Sequence, residues 1–349
     1  MVQSGMIFFH NDYNKGAHPE ILRALENTNT ESYTGYGLDT WCRKGAQEIQ
    51  KALGSGDAAI HFLTGGTQVN YTLIAAALRP FQSVIAADCS HINGHETGAV
   101  ENTGHKILAY GNKDGKLTAE AVEAAAAAYA GSRTQEHVTQ PKLVFLSFPS
   151  ELGTVYSKSE LEAIRRVCDS YRLFLYIDGA RLGYGLAAGH GDVTLQDIFR
   201  CADAFTIGGT KCGALFGEAL VLKHPALKEN FRSYMKQNGA MLAKGWLLGL
   251  QFYTLFRGGL YFSITKNAVA QAMRIRDAFR AKGIPLQPDS PTNQQFAILT
   301  KEQADALAEK YTFEYEGDMG GGRQCVRFCT SWSTTDEEVS ALVADIAGL

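Results

Sequence analysis

A lysine enclosed by glycines is the first residue of this sequence that can do covalent chemistry. Lys211 lies in the segment Ile207–Gly213, directly after an apolar run that predicts a strand. Glycine lets a ligand approach the backbone closely, and burial lowers the proton affinity of a lysine, which can then act as a nucleophile or a base. A lysine on an ordinary surface turn is the alternative, and the segment alone does not exclude it.

An aspartate stands in a similar place after another apolar run. The run Leu173–Ile177 predicts a strand, and Asp178 follows it directly. In an open α/β sheet, ligands bind beyond the carboxyl ends of the strands, so we expect Asp178 at the binding site. It can hold a positively charged ring nitrogen, such as that of pyridoxal phosphate. The alternatives are a cap on the next helix and an ion pair with Arg181.

A third segment has the features of a phosphate site. In Leu63–Asn70, a strand-like run is followed by glycines, a threonine and a helical pattern. Free N–H groups at the N-terminus of a helix, together with the hydroxyl of Thr67, would hold an anion. The segment matches neither a P-loop nor a GxGxxG motif, and an ordinary helix cap by Thr67 is an equal alternative.

Two histidines follow a further predicted strand. The segment Asp88–Glu96 contains His91 and His95. An imidazole at a strand end can stack on an aromatic cofactor or transfer a proton near neutral pH. We interpret His91 as the stacking residue and His95 as structural. The segment has no HExxH motif, and we predict no metal site.

An open α/β sheet is expected to position these residues. Between residues 45 and 225, strand-like runs alternate with helix-like runs, which is typical of parallel strands joined by helices. The predicted strands are Ala59–Leu63, Ser83–Ala87, Lys106–Tyr110, Lys142–Phe148, Leu173–Ile177, Ala204–Ile207 and Ala219–Leu222. Helices are predicted at Ala119–Ala130 and after a capping box of Ser157 and Glu160, ending at Tyr171.

A smaller α/β unit is expected towards the C-terminus. The long helices Met241–Phe256 and Asn267–Ala281 are followed by strand Gln295–Leu299, helix Glu302–Tyr311, a glycine-rich hairpin at Met319–Arg323, strand Gln324–Thr330 and a last helix from Thr335. We therefore predict an N-terminal arm over residues 1–45, a large α/β domain over 46–255 and a small α/β domain over 256–349.

Composition excludes several classes of protein. The 349 residues are 45% hydrophobic and 20% charged, which is typical of a globular chain and not of a fibre or a disordered one. The 33 basic and 36 acidic side chains give a net charge of -3 without a block of like charge, so we expect neither nucleic acid nor membrane as a partner. Seven cysteines without a CxxC pair favour reduced thiols in a cytoplasmic protein, with Cys325 and Cys329 as buried free thiols.

The order of the motifs resembles that of the fold-type I pyridoxal-phosphate enzymes, the aspartate aminotransferase fold. In detail the chain is similar to the low-specificity L-threonine aldolases of the aromatic amino acid β-eliminating lyase/threonine aldolase group. The resemblance covers nearly the whole chain, in the segments Phe9–Asp12, Tyr36–Asp39, Thr64–Gln68, Ser90–His91, Pro149–Thr154, Asp178–Arg181, Gly208–Lys211 and Val326–Phe328. It implies a large domain with a mostly parallel sheet and a small C-terminal domain.

The resemblance also implies roles for single residues. Lys211, His91 and Asp178 would be catalytic: Lys211 would link covalently to pyridoxal 5'-phosphate, and Asp178 would keep the pyridine nitrogen protonated so that the ring is an electron sink. His91 would stack on the ring. The phosphate would be held by Gly66, Thr67 and Thr210.

Substrate contacts are implied in the same way. Arg181 and Arg327 would bind the substrate carboxylate, a task that suits the planar guanidinium group, and Arg181 would also border the cofactor. Asn11, Tyr36 and Glu151 would complete the substrate site. Enzymes of this type form their active sites between subunits, so Tyr36 and the N-terminal arm would belong to a dimer interface, and a homotetramer built from two dimers is expected.

The implied reaction is the retro-aldol cleavage of a β-hydroxy-α-amino acid, in which L-threonine or L-allo-threonine gives glycine and acetaldehyde. Two positions depart from the common pattern. Many relatives have Ser-Asp where this chain has Asn11-Asp12, which changes a contact to the carboxylate or cofactor. Many have a histidine where this chain has Ser150-Glu151, which leaves His91, Glu151 and a bound water as candidates for the base that takes the hydroxyl proton.

Other functions would use the same residues. A β-eliminating lyase acting on another amino acid, or a racemase-like enzyme, also needs Lys211, Asp178 and the phosphate site. A non-catalytic member of the family would be favoured by loss of the lysine or the aspartate, and both are present. A nicotinamide-dependent dehydrogenase is disfavoured, because the first strand-to-helix turn has no GxGxxG.

Overall fold

A seven-stranded sheet lies at the centre of the computed structural model, which describes residues 5–112, 114–188 and 192–349. The strands of this sheet and of two smaller sheets are, in chain order, β1 (Ile7–Phe8), β2 (Ala59–Leu63), β3 (Gln82–Ala87), β4 (Lys106–Tyr110), β5 (Gln140–Ser147), β6 (Phe174–Asp178), β7 (Ala204–Gly208), β8 (Glu218–Leu222), β9 (Gln294–Thr300), β10 (Tyr311–Thr312), β11 (Glu314–Gly320) and β12 (Arg323–Cys329).

Helices connect and cover these strands. They are α1 (Pro19–Thr28), α2 (Thr40–Leu53), α3 (Gly66–Ala77), α4 (His91–Gly94), α5 (Ala119–Ala130), α6 (Lys158–Tyr171), α7 (Leu182–Ala187), α8 (Leu195–Cys201), α9 (Pro225–Lys228), α10 (Phe231–Gln237), α11 (Trp246–Phe256), α12 (Leu260–Ala281), α13 (Lys301–Ala308) and α14 (Asp336–Gly348). Short 3-10 turns occur at Glu101–Thr103, Gln135–His137 and Arg257–Gly259.

The central sheet has the mostly parallel arrangement that the sequence predicts. Its strand order is β2-β8-β7-β6-β5-β3-β4, and only β8 runs antiparallel, to both β2 and β7. Each of its strands begins and ends within two residues of the prediction. The capping box of Ser157 and Glu160 at the start of α6 is confirmed as well. The long apolar runs were a sufficient signal here, because both faces of the sheet are covered.

Alternating side chains in these runs enter two different apolar cores. In β5, Val144 and Leu146 lie in one core, whereas Leu143 and Phe145 lie in the core on the opposite face. A strand that is buried on both faces needs apolar residues at every position, so it reads as a continuous hydrophobic run. The polar residues that end such strands are therefore conspicuous.

The parallel strands bring several loops to one edge of the sheet. Ser147 pairs with Asp178 at the ends of β5 and β6, and the N–H of Phe148 donates to the carbonyl of Asp178 at 2.8 Å. The turn after β7 meets the same edge, since the N–H of Gly208 donates to the carbonyl of Gly179 at 2.9 Å. The segments that follow β5, β6 and β7 thus share one cleft.

The C-terminal part forms its own antiparallel sheet in the order β11-β12-β9. This sheet packs through Phe328 on α12 and α14, which contribute Phe279 and Leu342. Phe9 from the N-terminal segment is buried in the same core, and β1 pairs with β10. The three-part division at residues 45 and 255 stays a prediction.

Three elements differ from the sequence prediction. Helix α11 begins at Trp246 instead of Met241, and α12 begins at Leu260, seven residues earlier than Asn267. The break between them lies at Gly258 and Gly259, whose positive φ angles of 80° and 78° a helix does not accommodate. Helix α13 ends at Ala308 instead of Tyr311, because Tyr311 pairs with Ile7, a long-range contact that no local pattern reveals.

All seven cysteines are free, and Cys325 and Cys329 are buried as the sequence predicts. Within the described part of the chain, the helices are too short or too polar to span a membrane.

Candidate active site

A cleft of about 360 Å3 lies at the carboxyl ends of the parallel strands. It gathers eight of the residues that the sequence proposed for the site: Gly66, Thr67, His91, Glu151, Asp178, Arg181, Thr210 and Lys211. Three others do not line it in the single chain, namely Asn11, Tyr36 and Arg327.

Lys211 enters this cleft from the tight turn between β7 and β8. A Cβ atom on Gly208 would lie 2.2 Å from the carbonyl oxygen of Ala180, and one on Gly209 would lie 2.5 Å from that of Gly217. These glycines have no room for a side chain, and the close approach of a ligand to them stays a prediction. They let the lysine turn pack directly against the turn after β6 and against β8.

The surroundings of Lys211 favour its neutral amine. Burial lowers the pKa of Lys211, and the nearby guanidinium of Arg181 lowers it further, against the opposite effect of the carboxylates of Asp12, Asp178 and Glu218. A lysine with a lowered pKa has a larger fraction of free amine near neutral pH, so it is a better nucleophile and base. The surface-turn alternative is therefore wrong.

Asp178 ends β6 and is buried, with 7% of its surface exposed. Its Oδ1 accepts a hydrogen bond from the N–H of Ala180 at 2.9 Å, and its Oδ2 accepts one from Asn70 Nδ2 at 3.1 Å. Arg181 is not its partner, and the next helix has Arg181 itself at its cap, so both structural alternatives are wrong. The carboxylate keeps lone pairs that the protein does not use.

Arg181 forms a buried, two-pronged ion pair with Asp12. Its Nε lies 2.7 Å from Asp12 Oδ2 and its Nη2 lies 3.0 Å from Oδ1, while Asn293 Nδ2 donates to Oδ2 at 3.0 Å. Burial acts to raise the pKa of Asp12, but Arg181, Lys211 and Asn293 outweigh it and hold that pKa below its ordinary value. Asp12 therefore fixes the guanidinium at the cleft and leaves its third nitrogen free of Asp12.

The anion site has the form that the sequence predicts. Helix α3 begins at Gly66 with Gly65 as its cap residue, and no side chain caps it. Space is open beside both glycines. Thr67 is the second residue of the helix, so the interpretation as an ordinary cap is wrong. Uncapped N–H groups at a helix N-terminus are suited to a phosphate.

Glu151 contacts the segment that carries His91. Its Oε1 accepts hydrogen bonds from the N–H of His91 at 2.8 Å and from Ser147 Oγ at 2.6 Å. Burial raises the pKa of Glu151, and the neighbouring Asp178 adds to this effect. A carboxyl with a raised pKa is a better proton acceptor than an ordinary one, so Glu151 stays among the candidates for the base.

Sequence reasoning missed Glu218, which also lines the cleft. It is the first residue of β8, pairs with Gly208 across the sheet, and accepts a hydrogen bond from the N–H of Gly209 at 3.0 Å. Burial raises its pKa to about 7. The available signal was a charged residue directly before the apolar run Ala219–Leu222, at the position where the lysine turn returns to the sheet.

Sequence reasoning also gave no role to Asn70 and Glu96, which connect two predicted residues. Asn70 Nδ2 lies 2.7 Å from Glu96 Oε1 and 3.1 Å from Asp178 Oδ2, and Glu96 Oε1 lies 2.8 Å from His91 Nδ1. Glu96 follows His91 by five residues, beyond the short helix α4. A polar residue within the buried face of α3 was the available signal for Asn70.

The three residues outside the cleft have other contacts. Arg327 on β12 pairs with Glu316 at 2.9 Å, and its Nε is buried without a hydrogen-bond partner among the described residues. The side chain of Asn11 accepts a hydrogen bond from the N–H of Tyr13 at 3.0 Å. Tyr36 is 46% exposed and lines a separate cavity near Arg232.

The donor set of the cleft fits pyridoxal phosphate. It offers an amine of lowered pKa on Lys211, an uncapped helix N-terminus for a phosphate, a carboxylate with unused lone pairs on Asp178, and the half-exposed imidazole of His91.

Comparisons with known proteins agree with this donor set. The family model described as beta-eliminating lyase matches residues 15–314. A low specificity L-threonine aldolase of Pseudomonas sp. (strain NCIMB 10558) is 29% identical over 346 residues, covering 97% of this chain and 96% of the relative. One of Saccharomyces cerevisiae is 24% identical over 86% of this chain and 77% of its own length.

Solved structures give the same picture. The structure of a threonine aldolase of Leishmania major superposes with a TM-score of 0.94 at 41% identity, covering 97% of this chain and 98% of the other. A serine palmitoyltransferase of Sphingomonas wittichii superposes with a TM-score of 0.74 at 15% identity, covering 98% and 86% respectively, which shows the shared fold alone.

Proposed function

The chain belongs to the beta-eliminating lyase family, and we propose that it is a pyridoxal-phosphate-dependent aldolase that cleaves L-threonine and L-allo-threonine to glycine and acetaldehyde. The observation that carries the proposal is the cleft, in which Lys211, Asp178 and the uncapped N-terminus of α3 meet. The similarity to threonine aldolases over 97% of the chain supports the choice of reaction. A β-eliminating lyase acting on another amino acid is the alternative.

Four groups of this chain would hold the cofactor. Lys211 would link to it covalently, Asp178 would bind the ring nitrogen, His91 would lie against the ring, and the start of α3 with Thr67 would bind the phosphate. When bound, pyridoxal phosphate supplies an electron sink for the electrons of the broken Cα–Cβ bond. Thr210 would support the phosphate from the lysine turn, where its Oγ1 already accepts a hydrogen bond from the N–H of Gly217 at 3.0 Å.

The role of Lys211 depends on proton transfer at its Nζ. Its lowered pKa raises the fraction of free amine, the form in which Lys211 would link to the cofactor. The cationic Arg181 and the anionic Asp12 hold each other fixed beside it. The local charge around the amine is therefore set before any ligand enters.

Arg181 and Arg327 would orient the substrate by its carboxylate. Asp12 occupies Nε and Nη2 of Arg181, so Nη1 is the nitrogen that would bind the substrate carboxylate. Fixing the carboxylate fixes which bond of Cα is broken, which is a contribution of positioning. Asn11 and Tyr36 complete the proposed substrate contacts.

Two side chains are positioned to take the proton of the β-hydroxyl. The Oε1 of Glu151 is occupied by Ser147 and the backbone of His91, so its Oε2 is the atom available to a substrate. The Nε2 of His91 is the other candidate, because Nδ1 contacts Glu96. A bound water activated by either group is the third possibility.

The working unit that we propose is a homotetramer made of two dimers, with the active sites at the dimer interface. Exposed apolar side chains support an interface: Tyr13, Tyr36, Leu38 and Leu215 are each between 44% and 59% exposed. Tyr36 would reach the cleft of the neighbouring subunit. The seven free cysteines support a cytoplasmic location.

The first test is an absorbance spectrum of the purified protein with added pyridoxal phosphate, before and after borohydride. We expect a band at the edge of the visible range that borohydride removes, with the reduced adduct mapped to Lys211. Assays with L-threonine and L-allo-threonine should then yield glycine and acetaldehyde. A 2-oxo acid and ammonia instead would make the protein an eliminating lyase, and the absence of any band would refute the cofactor.

A further inference from the structure

The buried side-chain amide of Asn70 donates hydrogen bonds to Glu96 and to Asp178 in the cleft. We propose that Asn70 and Glu96 are positioning residues: Asn70 orients the carboxylate of Asp178, and Glu96 orients the ring of His91. Asn70 is 1% exposed and Glu96 is 6% exposed, so water contributes little to either. The kinetic part of this inference rests on the proposed function, whereas its cofactor-binding part does not.

The orientation of the Asn70 amide follows from the two carboxyl oxygens beside it. Glu96 Oε1 and Asp178 Oδ2 both accept a hydrogen bond, so the atom between them is Nδ2, and Oδ1 accepts the hydrogen of the Tyr176 hydroxyl at 2.7 Å. The hydroxyl has one hydrogen, so Thr206 must be the donor in its 2.7 Å contact with Tyr176. With Oδ1 committed to Tyr176, the Nδ2 of Asn70 must face the cleft.

Both hydrogens of this Nδ2 are then used. One goes to Glu96 Oε1 at 2.7 Å and the other to Asp178 Oδ2 at 3.1 Å. Two carboxylates that both approach one nitrogen repel each other strongly in a buried site, and the amide hydrogens between them offset that repulsion. Asn70 therefore determines where the Asp178 carboxylate can stand.

The same reasoning fixes the tautomer of His91. Glu96 Oε1 already accepts a hydrogen bond from Asn70 Nδ2 and lies 2.8 Å from His91 Nδ1, so it is the acceptor in both contacts. The hydrogen in this contact must come from Nδ1. In the neutral ring Nε2 is then the acceptor, on a side chain that is 39% exposed overall.

Glu96 also has a feature that lowers the stability of the folded chain. Its second oxygen, Oε2, is buried without a hydrogen-bond partner among the described residues. Such an oxygen destabilises the folded chain, and unsatisfied buried groups concentrate at functional sites. An apolar residue at position 96 would avoid this cost, but it would leave His91 Nδ1 without its acceptor.

The experiment compares variants of the full-length protein by cofactor affinity and by kinetics. In Asn70→Leu, Asp178 loses a charged hydrogen bond, and we expect the dissociation constant of pyridoxal phosphate, measured by fluorescence titration, to rise by about tenfold or more. In Glu96→Ala, we expect kcat to fall by about tenfold, with KM and the cofactor dissociation constant nearly unchanged. Glu96→Gln keeps an acceptor oxygen and should recover most of the lost kcat.

Gln295→Met is the matched control. Gln295 is also fully buried, and its Nε2 donates two hydrogen bonds, to the carbonyls of Ser290 and Thr292 at 3.1 and 2.8 Å, away from the cleft. This variant should lose thermal stability while its cofactor affinity and kcat stay within about threefold of the wild type. Asn70→Ser, which keeps one polar group, replaces Asn70→Leu if the latter does not fold.

The outcomes separate this inference from the proposed function. If the Asn70 and Glu96 variants lose only thermal stability, as the control does, both residues are structural and the inference is overturned. An equal loss of kcat in Glu96→Gln and Glu96→Ala would overturn the role assigned to the acceptor oxygen. If the wild type binds pyridoxal phosphate but does not cleave threonine, the proposed function fails, while the cofactor titrations still decide the role of Asn70.

Discussion

The charged residues in and beside the cleft form two sets, which we call the paired side and the unpaired side. On the paired side, Arg181 and Asp12 form a two-pronged ion pair that Asn293 completes. On the unpaired side, Lys211 is partly buried and Glu218 is buried, and neither has an ion-pair partner within 4 Å among the described residues. The first side holds its charges firmly, and the second side has groups whose pKa values move towards neutrality. The difference separates residues that position ligands from residues that exchange protons.

The largest effect is expected from removing the unpaired lysine. Lys211→Ala eliminates the amine that would hold the cofactor covalently, so kcat should fall by at least about a thousandfold in an acetaldehyde assay. Thermal unfolding should stay close to that of the wild type, because no ion pair is broken. Lys223→Ala is the matched control: burial also lowers the pKa of Lys223, but Lys223 lies outside the cleft and donates to the carbonyl of Arg200. Threonine cleavage at the wild-type rate by Lys211→Ala would disprove the mechanism.

The paired side should respond mainly in stability. Asp12→Asn leaves the Arg181 guanidinium buried without its carboxylate, which should lower the free energy of unfolding by about 3–5 kcal/mol in a urea titration. The exposed pair of Lys301 and Asp305 is the control, since Asp305→Asn should lower the free energy of unfolding far less than Asp12→Asn does. Equal losses of the free energy of unfolding in the two variants would mean that burial does not increase the contribution of the Asp12 pair to stability.

Removing the charge of Glu218, the carboxyl on the unpaired side, should raise the free energy of unfolding instead of lowering it. Glu218 has an ordinary pKa of 4.5 and a folded pKa of about 7, so between these values the folded chain binds more protons than the unfolded one. Its contribution to stability is therefore complete below pH 4.5 and is lost as the pH rises to about 7. Glu218→Gln, which cannot ionise, should stabilise the cofactor-free protein at pH 8 by up to about 3 kcal/mol.

The control for this variant is the pH itself. Well below pH 4.5, Glu218 is protonated in both the folded and the unfolded chain, so Glu218→Gln should leave the free energy of unfolding nearly unchanged there. A stabilisation that is equal at acidic and alkaline pH would show that the carboxyl does not titrate in this range. A loss of stability at pH 8 would show that the cationic Lys211 stabilises the ionised carboxylate more than burial destabilises it.

Sequence patterns located the cleft because they report on strand ends. Lys211, Asp178, Thr67 and His91 each follow a long apolar run, and parallel strands bring such positions to one edge of the sheet. The fold was predicted for the same reason, since strands covered on both faces read as continuous apolar runs. Local patterns failed to predict the ends of elements that are determined by long-range contacts. The pairing of Tyr311 with Ile7 is one such case.

Partners distant in the sequence were the other failure. Asp12 and Arg181 are 169 positions apart, and Asn70 and Asp178 are 108 apart, so no spacing rule relates them. The sequence showed which residues can do chemistry and left open which neighbour holds each of them. Glu218 was missed because a single charged residue at a strand end has many structural explanations, and only its burial beside Lys211 distinguishes it.

Arg327 is intermediate between the two sides and should give the smallest effect. It is paired like Arg181, but its partner Glu316 is 29% exposed, and in the part of the chain that the structure describes its own Nε is buried without a hydrogen-bond partner. A guanidinium held by one half-exposed carboxylate is easier to recruit than one held by a buried pair. If it binds the substrate carboxylate, Arg327→Ala should raise KM for threonine by about tenfold and lower kcat/KM with little change in kcat.

Glu316→Gln tests the same pair from its other end. Removing this carboxylate frees Arg327, so KM should fall slightly or stay constant, in contrast to the rise expected in Arg327→Ala. An unchanged KM in Arg327→Ala would remove Arg327 from the substrate site. The carboxylate would then depend on Arg181 alone, and the firmly paired side of the cleft would have to supply both the position and the affinity of the substrate.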